Sequence, residues 1–94
     1  MTRATWNGTV IAESDSTVVV EGNHYFHPDS VHWDHLSESE FQTTCPWKGQ
    51  ASYYNVEAGG ERLDDAAWTY REPKPAAGEI KGRIAFWKGV RVEA

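Results

Sequence analysis

Gln50-Ala51-Ser52-Tyr53-Tyr54-Asn55-Val56-Glu57-Ala58-Gly59-Gly60-Glu61-Arg62-Leu63 is the stretch whose reading decides the fold class. Its first half is a strand with a slip of phase: Ala51 and Tyr53 share one face, Tyr54 and Val56 the other. Two aromatics in succession call for a bulge or for cover on both sides of the strand. Ala58-Gly59-Gly60-Glu61 is a hairpin turn, and Arg62-Leu63 begins the return strand. Ala66, Trp68 and Tyr70 then alternate on one face, the period of a strand.

Upstream of this hairpin stands Thr44-Cys45-Pro46-Trp47-Lys48-Gly49. Phe41 to Thr44 is strand-like. Pro46 has no N–H for a ladder, so pairing stops or bulges there, and Trp47-Lys48-Gly49 is a turn. Ser37-Glu38-Ser39-Glu40 has the spacing of a capping box and predicts one helical turn. Val31 to Leu36 is a short strand or irregular.

Closer to the N-terminus, Asn7-Gly8 lies between strand-like residues, a strong hairpin signal. Thr17-Val18-Val19-Val20-Glu21 is β-branched and reads as a strand buried on both faces. Gly22-Asn23 is a second tight turn, His24 to His27 the next strand, and Pro28-Asp29-Ser30 its end. Downstream, Glu72-Pro73-Lys74-Pro75 breaks the sheet. Residues 75–81 predict the one short helix, with Pro75 at its first position and Gly82 as cap. Residues 84–87 and 90–93 predict a final hairpin. The expectation is a small, mainly β single domain over 1–94, with two short antiparallel sheets in a tent-like or barrel-like arrangement. Trp-x-Gly recurs at 6–8, 47–49 and 87–89, a pattern that two similar three-stranded units would produce.

The bulk properties narrow the function classes. Ninety-four residues hold a modest core. Five Trp, four Tyr and three Phe make that core efficient, since each aromatic buries ~150–250 Å². A net charge of −5 without a basic run argues against nucleic acid and anionic membrane surfaces. One cysteine cannot form an internal disulfide. No segment approaches the ~18 apolar residues of a membrane span, and the N-terminus has no signal-like apolar core. A cytoplasmic location is expected.

The candidate chemistry centres on the Cys45 turn. A nucleophilic thiolate needs a nearby cation or histidine to lower its pKa, and Lys48 lies three residues on. Cys45 and Lys48 are therefore the candidate catalytic residues, although a free cysteine also packs well as a small hydrophobe. Lys48 is also able to bind an anion with its stem along Trp47; the favoured alternative is a solvated turn lysine. Glu21, Tyr25, Trp47, Tyr53, Trp68 and Tyr70, with Trp33 at the margin, are candidate ligand-binding residues; the alternative is that these aromatics are core. His24-x-x-His27 and His32-x-x-His35 have a metal-like spacing, but residues three apart on a strand face opposite ways, and no metal site or cofactor is assigned.

Four pieces carry a resemblance. They are Glu21-Gly22-Asn23-His24-Tyr25-Phe26, Thr44-Cys45-Pro46-Trp47-Lys48-Gly49-Gln50-Ala51-Ser52-Tyr53, Ala66-Ala67-Trp68-Thr69-Tyr70-Arg71-Glu72-Pro73 and Ile84-Ala85-Phe86. Through them nearly the whole chain resembles the bacterial family known as domain of unknown function 427. The resemblance implies a compact, mainly β domain and no established reaction. The family has been labelled nucleotidyltransferase-type, a chemistry that presents a Gly-Ser turn and paired Asp residues to metal and triphosphate. This chain has no Gly-Ser and no Asp-x-Asp. The expected function is binding of a small organic molecule in an aromatic cleft beside the Cys-Pro-Trp-Lys-Gly turn. The alternatives are a thiol enzyme using Cys45, and a protein-interaction or assembly module, with exposed strand edges allowing a homodimer.

Overall fold

The computed structural model describes residues 1–94, arranged as nine strands in three antiparallel sheets. Strands β1 (Thr2–Trp6), β2 (Thr9–Ser14) and β9 (Arg91–Glu93) form the first, in the order β2-β1-β9. Strands β3 (Val18–Val20) and β4 (Asn23–Tyr25) form a two-stranded hairpin. Strands β5 (Leu36–Cys45), β6 (Gly49–Ala58), β7 (Glu61–Thr69) and β8 (Ile84–Phe86) form the largest sheet, in sequence order. The mainly β single-domain expectation holds. The sheets number three rather than two, and none closes into a barrel.

The turns account for this layout. Asn7 and Gly8 both have positive φ (51° and 76°), the backbone that lets a two-residue turn match strand twist. Glu21 and Gly22 repeat the device (53° and 79°) between β3 and β4. The second turn is thus Glu21-Gly22, one residue earlier than the sequence suggested, and this sets Glu21 on a tight hairpin corner. The β6–β7 pairing shifts register between Tyr54 and Val56, which is the bulge the double aromatic required.

Three expectations are corrected. Ser37 to Glu40 belongs to β5, where the register shift between Glu38 and Gln42 absorbs the polar run without a helical turn. Val19 is exposed, because the β3–β4 hairpin is covered on one side only. Strands β8 and β9 do not pair with each other; β9 crosses to β1. The short helix expected near 75–81 is present over Pro75–Ile80 as a 3-10 helix kinked at Ala77 (φ −115°). Lys74 occupies its N-cap and provides no side-chain cap, and six residues with an internal glycine cannot repay helix nucleation. Gly82, with φ of 70°, does follow as the left-handed terminator. The first two Trp-x-Gly turns open hairpins, but the third links strands of different sheets, so it does not repeat the unit.

The large sheet buries both faces. Residues directly opposite across a ladder share a face. Tyr54, Ala67 and Phe86 are in register and enter one core cluster with Ile11, Phe26 and Val56. Tyr53, Trp68 and Ala85 are in register on the other face and join a second cluster with Tyr25, Ala51, Tyr70, Ala77 and Ile80. The β3–β4 hairpin and the 3-10 turn cover that second face. No helix of the chain is long and apolar enough to cross a membrane.

Candidate functional site around Lys48

Lys48 sits in the turn between β5 and β6, and the backbone fixes it from behind. Its carbonyl accepts a hydrogen bond from the Lys74 N–H at 2.9 Å, and the Lys74 ammonium donates to the Pro46 carbonyl at 2.7 Å. Gly49 follows at φ 111°, a conformation closed to other residues. The Lys48 side chain is thereby turned inward. It is only 9% exposed, and its ammonium donates to the Glu21 carboxylate, which is 51% exposed. The Trp47 ring centroid lies 5.3 Å from the Lys48 ammonium and that of Tyr70 lies 5.6 Å away, within cation–π range.

The electrostatics follow from this pair. The hydrogen bond from Lys48 holds the Glu21 carboxyl below its ordinary range, with smaller help from Trp47. Burial pulls Lys48 down, but the Glu21 hydrogen bond and the facing Tyr25 and Tyr70 oxygens together outweigh it, and Lys48 ends above an ordinary lysine. Burial raises both Tyr25 and Tyr70, and the nearby Lys48 charge only partly offsets this. At neutral pH the site therefore holds one fixed cation, one carboxylate and two neutral phenols. Lys48 is a positive charge there, not a proton acceptor.

The other expected residues converge on the same place. Tyr25, on β4, is fully buried; its hydroxyl accepts from the Trp68 indole at 3.2 Å, with the rings edge-on at 6.1 Å. Tyr53 lies 6.5 Å from Trp68. Cys45, half-buried at the end of β5, packs against the cluster of Tyr25, Tyr53 and Tyr70. Trp33 does not belong with them. It packs on Tyr54, against the opposite core, and its indole donates to the Pro28 carbonyl. The cluster is also more closed than the expected cleft, because Tyr25, Tyr53 and Tyr70 are buried. The surface hollows lie elsewhere, the largest, about 470 Å³, being lined by His35 and the 57–62 turn.

Sequence reasoning missed two members. Phe41 lies 4.8 Å from Tyr53, with the rings tilted by 55°, and Trp87 lies 6.3 Å from Tyr53 and 5.9 Å from Trp68. The signal was the alternation across β5 for Phe41 and the third Trp-x-Gly for Trp87, but neither shows which face it joins. The histidines are scattered. His24 bonds the Thr17 hydroxyl, His27 the Asp29 N–H, and His32 and His35 donate to the Val10 and Glu57 carbonyls. No group of three His, Cys, Asp or Glu residues is arranged to hold a metal ion.

No curated protein matches the chain. A family model does, over residues 1–94, and it covers the Glu21 corner, the Cys45–Gly49 turn and the aromatic strands together. The chain therefore belongs to the family described as Domain of unknown function (DUF427).

Proposed function

We propose that this domain binds a small organic anion on the aromatic cluster beside the Cys45–Gly49 turn. Lys48 is the counter-charge and Glu21 the group that the ligand displaces. One observation carries the reading: an ammonium nine-tenths buried is neutralised by a single carboxylate that is half exposed on a hairpin corner. A charge withdrawn from water needs a partner. Here the partner sits where an incoming oxyanion can replace it without leaving Lys48 bare. Trp47 and Tyr70 supply the apolar walls that small-ligand sites use.

Titration with benzoate, followed by tryptophan fluorescence, tests this. Glu21→Gln removes the internal competitor and is expected to tighten binding about five- to tenfold, the scale of one charge-assisted contact. Lys48→Met is expected to abolish binding while circular dichroism shows the fold intact. A Lys48→Met protein that binds benzoate like the wild type sinks the reading.

A second reading draws on Cys45 bordering the same cluster, as the nucleophile of a thiol enzyme beside the Lys48 cation. Iodoacetamide labelling of the native protein at a rate near that in denaturant supports it. Labelling seen only in denaturant makes Cys45 a packing residue.

A further inference from the structure

We infer that the ligand's ring lies on a platform formed by Phe41, Tyr53, Trp68 and Trp87, so that the ligand class is a flat aromatic ring bearing one acidic group. This rests on the reading of Lys48 as the ligand's counter-charge. The four rings touch in series, with neighbouring centroids 4.8–6.5 Å apart and planes inclined by 38–81°, around a buried Tyr53. Its two outer members are open to solvent, Phe41 by 47% and Trp87 by 44%. Large exposed aromatics gathered in one patch mark a binding surface more often than a scattered few do.

The Trp87 ring and the Phe41 backbone are also fixed, and through one residue. The Trp87 indole donates to the Asp65 carbonyl at 2.5 Å. The Asp65 carboxylate accepts from the Ser39 hydroxyl, and Ser39 Oγ in turn accepts the Phe41 N–H at 3.1 Å. Asp65 holds φ of 55°, an uncommon left-handed backbone for a residue with a side chain, and the Asn55 amide oxygen pins its N–H at 3.1 Å. Bulges in β5 and in the β6–β7 pair thus meet at Asp65 and aim two exposed rings at the same face. Rings held in advance lose little freedom when a ligand stacks on them.

The platform runs into the anion site. Trp68 touches Tyr25, and Tyr25 and Tyr70 both feel the Lys48 charge. Trp68 and Tyr70 are two residues apart on one strand face, about 7 Å along the chain. A ring stacked near Trp68 therefore places an attached acidic group toward Lys48. At the Lys48 end the charge supply fits one negative charge. Lys48 is the cation at that end, Lys88 beside Trp87 is tied to the Asp64 carbonyl, and a molecule of net charge −5 does not attract a polyanion.

Calorimetric titration with 2-naphthoate and with cyclohexanecarboxylate separates the two claims, since both carry the acid and only one is flat. Naphthoate is expected to bind about tenfold tighter, the scale of one stacked ring. Phe41→Ala, and Phe41→Leu as an apolar but ringless control, are expected to remove most of that advantage, weakening naphthoate several-fold more than cyclohexanecarboxylate. Equal affinities for the two acids, or no effect of either Phe41 variant, overturn the platform; if Lys48→Met still abolishes binding, the anion reading survives alone. Binding of neither acid removes both. A dimer seen by sedimentation that Phe41→Ala dissolves makes the face a self-association surface and also overturns the inference.

Discussion

Glu21 and Lys48 titrate on opposite sides of neutrality, which makes their pair visible in the pH dependence of stability. Lys48 holds the Glu21 carboxyl below its usual 4.5 in the folded protein. The unfolded chain then takes up that proton first, so the contribution of the pair is complete above pH 4.5 and fades as pH falls below it. Lys48 is held above its usual 10.5, so its contribution is complete below that value and is lost as pH rises further. Urea midpoints of wild type and Glu21→Gln, compared from pH about 7 down to about 3, are expected to converge as Glu21 becomes protonated. A gap that stays constant to the acid end assigns the effect of the variant to packing instead of charge. The sequence placed these two residues in one site but not their contact, because no spacing rule joins a hairpin corner at 21 to a turn at 48. Only the fold brings them together.

At the level of the turns and strands, three glycines separate backbone strain from steric space. Gly49 has φ of 111°, yet a Cβ there would meet only ordinary contacts at 3.5–3.6 Å with Lys74, Glu72 and Pro73. Gly49→Ala is therefore expected to cost ~1–3 kcal/mol from strain alone. Gly59→Ala adds a close approach, 2.7 Å to the Asn7 amide nitrogen, which also donates to the Ala58 carbonyl. Its expected cost is at least as large, because that hydrogen bond between two hairpins must shift. Gly78 has no left-handed φ and open space around it, so Gly78→Ala is expected to be neutral or stabilising by up to ~1 kcal/mol. Urea midpoints should therefore rise in the order Gly59→Ala, Gly49→Ala, Gly78→Ala. Elements whose signal is local were legible in the sequence: the Asn7-Gly8 turn, the double-aromatic bulge at Tyr53-Tyr54 and the 58–61 hairpin. Elements set by distant partners were not. The capping-box pattern at Ser37 lost to seven residue pairs along β6, and the last hairpin lost to β9 finding β1.

Across the whole molecule, the large sheet is a shared wall. Ile84 and Phe86 enter the core beneath the β2-β1-β9 sheet, while Ala85 between them enters the aromatic cluster beneath the β3–β4 hairpin. Alternation along three residues of β8 thus couples the two cores, and the Phe26–Ile84 backbone bonds at 2.7 and 2.8 Å tie β4 to the same strand. The clusters should unfold together. Phe86→Ala is expected to cost ~3–5 kcal/mol and Ile80→Ala, at the far side of the aromatic cluster, ~2–5 kcal/mol. Either is a large share of the ~5–15 kcal/mol that holds a domain. In each variant the urea transition by tryptophan fluorescence should coincide with that by far-ultraviolet circular dichroism. Three of the five tryptophans (Trp47, Trp68 and Trp87) lie at the aromatic face, while Trp6 and Trp33 pack on the other core, so fluorescence weights the aromatic side, whereas dichroism weights all three sheets. If Ile80→Ala moved the fluorescence transition alone, the aromatic cluster would be a separately melting unit. The binding face would then be able to loosen without unfolding the sheet that carries it.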